Sequence, residues 1–205
     1  MLARSAAGSA EPGQNRTLIV VPSVLAVCIV ADLRADAGPI GVTAVDKRPV
    51  DGPVQVGTHG LFGDVQADRE RHGGLAQAVY AYGEDDAQWW ADQVGHDFPP
   101  GTFGENLRVE GIDVNAVRIG ERWRIGDEVL LEVTRPRKPC QTFARWIEAQ
   151  RIAPATGWVK RFAAANRLGP YFRVVRTGEV RAGDVITVEP APDGALRLLD
   201  WVRPD

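Results

Sequence analysis

The chain has 205 residues, of which 24 are Lys or Arg and 27 are Asp or Glu, giving a formal net charge of −3. This near balance argues against a dedicated nucleic-acid-binding protein, because such domains present a strongly basic face. Hydrophobic residues make up 44% of the sequence, which is enough for a core and too much for a disordered chain. The two cysteines, Cys28 and Cys140, exclude a disulfide framework, a zinc module and a cysteine-ligated iron–sulfur cluster, and they favour a reducing, cytoplasmic location.

The N-terminal end of the chain has few large apolar groups up to residue 15, and we expect a flexible tail there. Residues 18–31 form an apolar run interrupted by Pro22, which is too short to cross a membrane. A secretory signal is an alternative, because Arg4 and Arg16 precede the run. The β-branched residues at 24–30 favour a buried first strand instead. We predict one domain over residues 16–205, with no linker that would divide it.

Strand signals dominate the rest of the chain, and Gly, Asp and Pro separate them. Further strands are predicted at residues 41–45, 54–56, 118–125, 128–134, 171–175 and 185–189. The turns Gly126-Asp127 and Gly183-Asp184 each lead into an apolar strand. Pro192-Asp193-Gly194 predicts a further turn, which would close a hairpin between residues 185–189 and 196–202.

Three helices are predicted. The first covers residues 87–94 and is capped by Asp85 or Asp86. The second covers residues 141–151, and the third covers residues 156–167 and ends before a Gly-Pro pair. Many short strands with a few peripheral helices favour a mainly β, barrel-like fold with α additions, which is an α+β class, over an alternating βαβ arrangement.

Cys140 carries the strongest chemical signal in the sequence. Three cations precede it within five positions: Arg135, Arg137 and Lys138. Nearby cations favour the thiolate, and a position just before a helix N-terminus adds to this bias. Pro136 and Pro139 make the segment a stiff loop. The alternative is an inert, partly buried cysteine among solvated cations; Cys28, inside an apolar strand, is predicted to be a core residue.

Two other segments are dense in glycine and polar side chains. The first is residues 63–74, with Asp64, Asp68, His72, Gly73 and Gly74. Paired glycines let backbone N–H groups approach an anion, and a neighbouring imidazole can fix an oxyanion. The second is residues 101–107, which contain Glu105 and Asn106 framed by glycines. A glycine-rich turn with solvated charges is the alternative for both segments.

Taken in chain order, these segments resemble the MOSC family, named for the C-terminal domain of molybdenum cofactor sulfurases. The resemblance runs from about residue 24 to 189 and is strongest to the stand-alone bacterial branch, which is similar to reductases of N-hydroxylated bases. The motifs are Lys47-Arg48-Pro49-Val50, residues 63–68, His72-Gly73-Gly74, Phe103-Gly104-Glu105-Asn106-Leu107, Ile125-Gly126-Asp127 and Pro136-Arg137-Lys138-Pro139-Cys140. The family resemblance implies a β-rich, barrel-like fold.

The resemblance also implies site roles. Cys140 is expected to ligate the molybdenum of a molybdopterin cofactor. Because that cofactor carries a dithiolene and a phosphate, its site needs a soft thiolate, cations and backbone donors. The candidate cofactor-binding residues are Lys47, Arg48, Gly73, Gly74, Asn106, Arg135, Arg137 and Lys138. The candidate catalytic proton relays are His72, Asp68 and Glu105, together with Asp64.

The implied reaction is reductive cleavage of the N–O bond in N-hydroxylated compounds such as hydroxylaminopurines and amidoximes. We find no iron–sulfur cysteine set and no flavin or nicotinamide signature, so we expect a separate flavin or iron–sulfur redox partner and no nucleic-acid or membrane partner. Three alternatives stay open. Cys140 could carry a persulfide as a sulfur carrier in cofactor maturation, the protein could store cofactor without turnover, or this copy could have lost activity.

Overall fold

The computed structural model describes residues 20–67 and 73–201. The strands are β1 (Ser23–Ala35), β2 (Val42–Pro49), β3 (Val54–Gly57), β4 (Gly60–Leu61), β5 (Val79–Gly83), β6 (Leu107–Glu110), β7 (Arg122–Ile125), β8 (Val129–Pro136), β9 (Pro170–Arg176), β10 (Gly178–Val180) and β11 (Ile186–Glu189). The helices are α1 (Glu84–Val94), α2 (Gln141–Ala149) and α3 (Trp158–Ala165), with 3-10 turns at Leu75–Gln77 and Leu198–Asp200. Within these ranges, none of the helices has the length and apolar character needed to span a bilayer.

Eight strands form one sheet in the order β11-β7-β8-β9-β5-β6-β1-β2, and a smaller sheet has the order β10-β3-β4. In the large sheet β5 and β6 are parallel, and the other neighbours are antiparallel. The start of β1 lies against the residues that lead into β11: Val24 N–H donates to Asp184 O (2.9 Å), and Ile186 N–H donates to Pro22 O (2.8 Å). These bonds place the start of β1 beside the start of β11. The mostly β structure with three helices confirms the predicted α+β class.

Two apolar clusters fill the fold. The first lies among the strands, where Trp123 and Phe172 are fully buried with ring centroids 4.8 Å apart. The second joins β5 to the three helices and is rich in aromatic rings: Tyr82, Trp90, Phe103, Phe143 and Phe162. Because α2 and α3 carry apolar residues on one face, they pack with β5 in this second cluster.

Seven predicted strands and all three predicted helices are confirmed, with shifts of a few residues at their ends. The predicted cap of α1 is wrong. The helix begins at Glu84 after Gly83, which has extended backbone and makes no side-chain cap bond. Asp85 and Asp86 lie inside the first turn instead, where the helix dipole stabilises carboxylates.

The predicted C-terminal hairpin is also wrong. Residues 196–198 pair with residues 117–119 instead of β11: Ile119 N–H donates to Leu196 O (2.9 Å), and Leu198 N–H donates to Val117 O (2.8 Å). Since Leu198 is fully buried in the strand cluster, burial of this side chain outweighs the local turn signal. The predicted tail over residues 1–15 lies outside the described residues, as does Val202.

Sequence analysis missed the short strands β4 and β10, and it missed β5 and β6, the parallel pair inside the large sheet. All five residues of β5 are buried, so the strand lacks the alternation that marks a half-exposed strand. It also runs directly into α1 without a turn signal. In β6, position 108 is fully buried but holds an arginine, so the sequence lacks the apolar residue expected at a core position of a strand.

Candidate functional site

An open cavity of about 790 Å³ lies where several parts of the chain meet. It is bounded by the β1–β2 hairpin, residues 64–67, residues 103–106 with β5, and the loop that leads into α2. The volume is in the range of small-molecule and cofactor sites, about 300–1,000 Å³. The predicted site residues that line it are Lys47, Asn106, Arg137, Lys138 and Cys140. Asp64 also lines it.

Cys140 stands at the start of α2. It is half-buried and has extended backbone (φ −143°, ψ 161°), and its carbonyl accepts the N–H of Ala144 (3.2 Å). The stiff proline-containing loop therefore ends in a cysteine immediately before the helix N-terminus, as predicted. A helix N-terminus favours negative charge, so this position suits a thiolate or an anionic ligand.

Arg137 is the cation most deeply set in the cavity wall. It is 5% exposed, and its guanidinium carbon lies 4.4 Å from the ring centroid of Phe143 and 5.6 Å from that of Tyr80. Burial works against its charge, but Tyr80 and Cys140 raise the pKa of Arg137 above its ordinary value. Its Nη1 has no hydrogen-bond partner among the described residues. A buried, charged guanidinium with an unused donor is suited to binding an anion.

A polar network on the opposite wall joins Lys47, Asp64 and Asn106. The Lys47 ammonium donates to Asp64 Oδ2 at 2.5 Å, and Asn106 Nδ2 donates to the same oxygen at 2.8 Å. Asp64 Oδ1 accepts the N–H of Val30 in β1 (2.9 Å). The Asn106 side chain also accepts the N–H of Tyr80 (3.1 Å). This wall therefore has fixed geometry, and it presents a lysine ammonium toward the cavity.

A second ion pair at the entrance was missed by sequence analysis. Arg145 of α2 donates two hydrogen bonds of 2.7 Å to Asp36, which lies just after β1. These bonds hold the pKa of the Asp36 carboxyl below its usual range. The Asp-x-Gly-Pro sequence at residue 36 is typical of a turn, but nothing local identifies a partner 109 positions away.

Other predicted residues lie away from the cavity surface. Glu105 is fully buried, and its Oε1 accepts Arg108 Nη2 (2.6 Å) and the N–H of Gly101 (2.8 Å). Its carboxylate therefore braces the loop behind the cavity. Arg48 is exposed and pairs with Asp46.

Arg135 turns toward Trp201, with its guanidinium carbon 5.4 Å from the ring centroid. Gly73 and Gly74 are fixed by side chains: Gln77 donates to Gly73 O (3.2 Å), and Gly74 N–H donates to Gln66 Oε1 (2.8 Å). Neither glycine lines the cavity. Asp68 and His72 lie outside the described residues.

Cys28 is confirmed as a core residue. It is fully buried in β1, and burial raises the pKa of its thiol to about 12. Its carbonyl accepts the Asn106 side chain (3.3 Å), so it supports the polar wall through its backbone. The two cysteines thus differ in environment as predicted, with Cys140 alone of the two at the cavity.

Comparisons with known proteins place this arrangement in a family. The chain is 32% identical over 179 residues to a protein of Gibberella moniliformis named "Reductase", covering 83% of this chain and 30% of that protein. It is 30% identical over 143 residues to the Escherichia coli protein YiiM, covering 68% of this chain and 61% of that one. The chain thus spans less than two thirds of the length of these curated relatives.

The crystal structure of YiiM from Geobacillus stearothermophilus has the same fold, with a TM-score of 0.68. The two are 24% identical, and the match covers 87% of this chain and 80% of the other. Residues 68–187, more than half of the chain, match the MOSC domain family. The chain therefore belongs to the MOSC domain family.

Proposed function

We propose that this protein binds molybdenum cofactor in the cavity, with Cys140 as a molybdenum ligand, and reduces N-hydroxylated compounds by N–O cleavage. The observation that carries the proposal is Arg137. Its buried guanidinium has an unused donor in the wall that ends at Cys140. A buried donor without a hydrogen-bond partner costs about 1–3 kcal/mol, and an anion bound beside Cys140 would supply that partner.

The donor set fits such a cofactor. Molybdopterin presents soft sulfur atoms and a phosphate, and the cavity offers one cysteine together with the cations Lys47, Arg137 and Lys138. The buried rings of Tyr80 and Phe143 pack against Arg137 and line the cavity, so this part of the wall is apolar, as a pterin ring would require. When bound, the cofactor supplies a metal that changes oxidation state by two electrons, which is the change that N–O cleavage requires.

Side chains of this protein would bind the substrate and supply the protons that N–O cleavage consumes. Conversion of an N–OH group to N–H and water takes up two electrons and two protons. Lys47, fixed by Asp64, lines the cavity and would donate a hydrogen bond to the leaving oxygen of a bound substrate. Roles for His72, Asp68 and Glu105 as further proton relays stay predictions.

The proposal requires an electron donor. We propose a separate flavin or iron–sulfur protein in the cytoplasm, because the sequence has no iron–sulfur cysteine set and no flavin or nicotinamide signature. The relative named "Reductase" is much longer than this chain and supports the redox class of the reaction. Its whole activity is not transferred to this chain.

The first test is the molybdenum and pterin content of the wild type beside Cys140→Ala, both purified anaerobically from a host that makes the cofactor. We expect near-stoichiometric metal in the wild type and its loss in the variant. Cys28→Ala serves as the control, since it removes the other thiol without touching the cavity. Reduction of hydroxylaminopurines or amidoximes with a chemical donor then tests the reaction.

Two outcomes would contradict the proposal. Absence of metal from the wild type even after reconstitution, with a cyanide-labile persulfide on Cys140, would favour the sulfur carrier. Tight cofactor binding without reduction of any N-hydroxylated compound would favour a storage module.

A further inference from the structure

We propose that the Asp36–Arg145 ion pair is a positioning contact that holds the tip of the β1–β2 hairpin over the cavity and limits the size of molecule that reaches Cys140. The tip is defined here as residues 36–41, between the two strands. This inference goes beyond the proposed function, because it concerns entry to the cavity and holds for any reaction performed there.

The contact is more elaborate than an ordinary surface ion pair. Arg145 binds both oxygens of Asp36 through Nε and Nη2, each at 2.7 Å. Oδ2 also accepts the hydroxyl of Thr142 (3.1 Å) and the N–H of Gly38 (3.0 Å). The carboxylate side chain is 8% exposed. A bidentate pair with two further donors has defined geometry, so it fixes the tip relative to the first turns of α2.

The tip has little other support among the described residues. Residues 31–35 of β1 are exposed, and so is Ile40 at the tip. Within the described part of the chain, the hydrogen bonds that join the tip to the rest of the fold are those that Asp36 accepts from α2. A two-stranded hairpin is only marginally stable in water by itself. Its position therefore depends on this contact.

The position of the tip matters because residues 36–40 line the cavity. They face the helix that starts directly after Cys140. Displacing the tip would widen the entrance on the side of the cysteine while leaving the deeper wall, with Arg137 and Lys47, in place. The contact would thus control which molecules reach Cys140 without changing the binding groups on the deeper wall.

Gly38 gives a second way to disturb the contact without changing any charge. A Cβ on this residue would lie 2.6 Å from Asp36 Oδ2 and 3.2 Å from Arg145 Nη2. The first distance is well inside van der Waals contact, so Gly38→Ala would push the two partners apart.

The test measures how fast Cys140 reacts with thiol reagents of two sizes in cofactor-free protein. Cys28→Ala is the background, because the chain has two cysteines and this change leaves Cys140 as the single thiol. Iodoacetamide is the small reagent and fluorescein maleimide the bulky one. The variants are Asp36→Ala, Arg145→Ala, the double variant and Gly38→Ala. Asp32→Ala, which removes an exposed ion pair with Arg34 on the same hairpin, is the matched control.

We expect the ratio of bulky to small reagent rates to rise about tenfold in each contact variant and to stay unchanged in the control. The double variant should equal either single one, because both remove the same contact. Asp36→Ala and Arg145→Ala change the local charge in opposite directions. A purely electrostatic effect on the thiol would therefore move the rates in opposite directions.

An unchanged ratio in folded variants, checked by circular dichroism melting, would overturn the inference. So would an equal rise in the control. If Asp36→Ala does not fold, the ratio of bulky to small reagent rates in Arg145→Ala and Gly38→Ala tests the inference. Since no cofactor is present, this result does not depend on the proposed reduction, which the metal content tests separately.

Discussion

Arg137 brings a positive charge into a wall of aromatic rings. The guanidinium packs against Phe143 and Tyr80, and such cation–π contacts contribute about 0.5–2 kcal/mol. Removing the same charge from water has a cost, but Tyr80 and Cys140 outweigh it and raise the pKa of Arg137 above its ordinary value, so the folded protein favours the charged form. At the scale of one residue, the guanidinium therefore stabilises the aromatic wall and stays charged beside Cys140.

From this balance we expect Arg137→Met to lower the free energy of unfolding of the cofactor-free protein by about 1–2 kcal/mol, because the cation–π contacts are lost. Methionine keeps an apolar side chain in the wall but carries no charge. Urea denaturation measures the change. The control is Arg161→Met, which removes a guanidinium that stacks on Trp90 but is exposed, and there we expect a change within about 1 kcal/mol. A gain in stability in Arg137→Met would show instead that the cost of burying the charge outweighs these contacts.

The loop that carries Arg137 is positioned by β9 and its preceding turn. Arg137 N–H donates to Gly169 O at 3.0 Å, and Gly169 N–H donates to Asn115 Oδ1 at 3.2 Å. Gly169 has φ +68°, and a Cβ there would lie 2.4 Å from Ala81 O in β5. At the scale of elements, one glycine thus allows β5, β9 and the loop before Cys140 to meet.

We expect Gly169→Ala to reduce the free energy of unfolding by at least about 2 kcal/mol more than Gly95→Ala does. Gly95 is the matched control, because it has φ +69° but nothing within 4 Å of its Cβ position. Gly95→Ala should cost only the strain of placing a residue with a Cβ in the left-handed conformation, about 1 kcal/mol. Chemical denaturation of the two variants measures the difference. Equal losses would mean that β5 moves freely to accept the new methyl group.

At the scale of the whole molecule, the first strand, β1, meets the segment that leads into the last strand, β11. Val24 exchanges two backbone bonds with the turn before β11: it donates to Asp184 O (2.9 Å) and accepts from Gly183 N–H (2.8 Å). Residues 183–186 are distant in sequence from β1, so these bonds form only when the sheet curls.

We therefore expect the amide protons of Val24, Gly183 and Ile186 to exchange with solvent as slowly as those of β5 and β9. Their opening requires the sheet to come apart, which is close to global unfolding. Native-state hydrogen exchange by NMR measures this. The exposed end of β1, residues 31–35, should exchange through local opening and serves as the internal comparison. Fast exchange at Val24 would show that the strands separate independently of the rest of the fold.

Several features of this protein follow from local sequence. Three predicted features depend on signals that span only a few residues, and each forms as predicted. They are the β-branched run in β1, the Gly-Asp turns and the apolar stripe of α2. Pro136 and Pro139 restrict the backbone before Cys140, so the position of the cysteine between a stiff loop and a helix follows from the loop itself. The ordered motifs around these elements suffice to identify the MOSC family.

Contacts between residues far apart in the chain were decided only by the tertiary structure. Glu105 pairs with the buried Arg108 and stands behind the cavity, Arg135 turns toward Trp201, and Asp36 meets Arg145 across 109 positions. Local patterns predict which strands and helices form, because backbone preferences act over a few residues. Which charged side chain faces a cavity, and which one faces a partner, depends on strand register and packing, and these are set when the sheet curls and the distant segments meet.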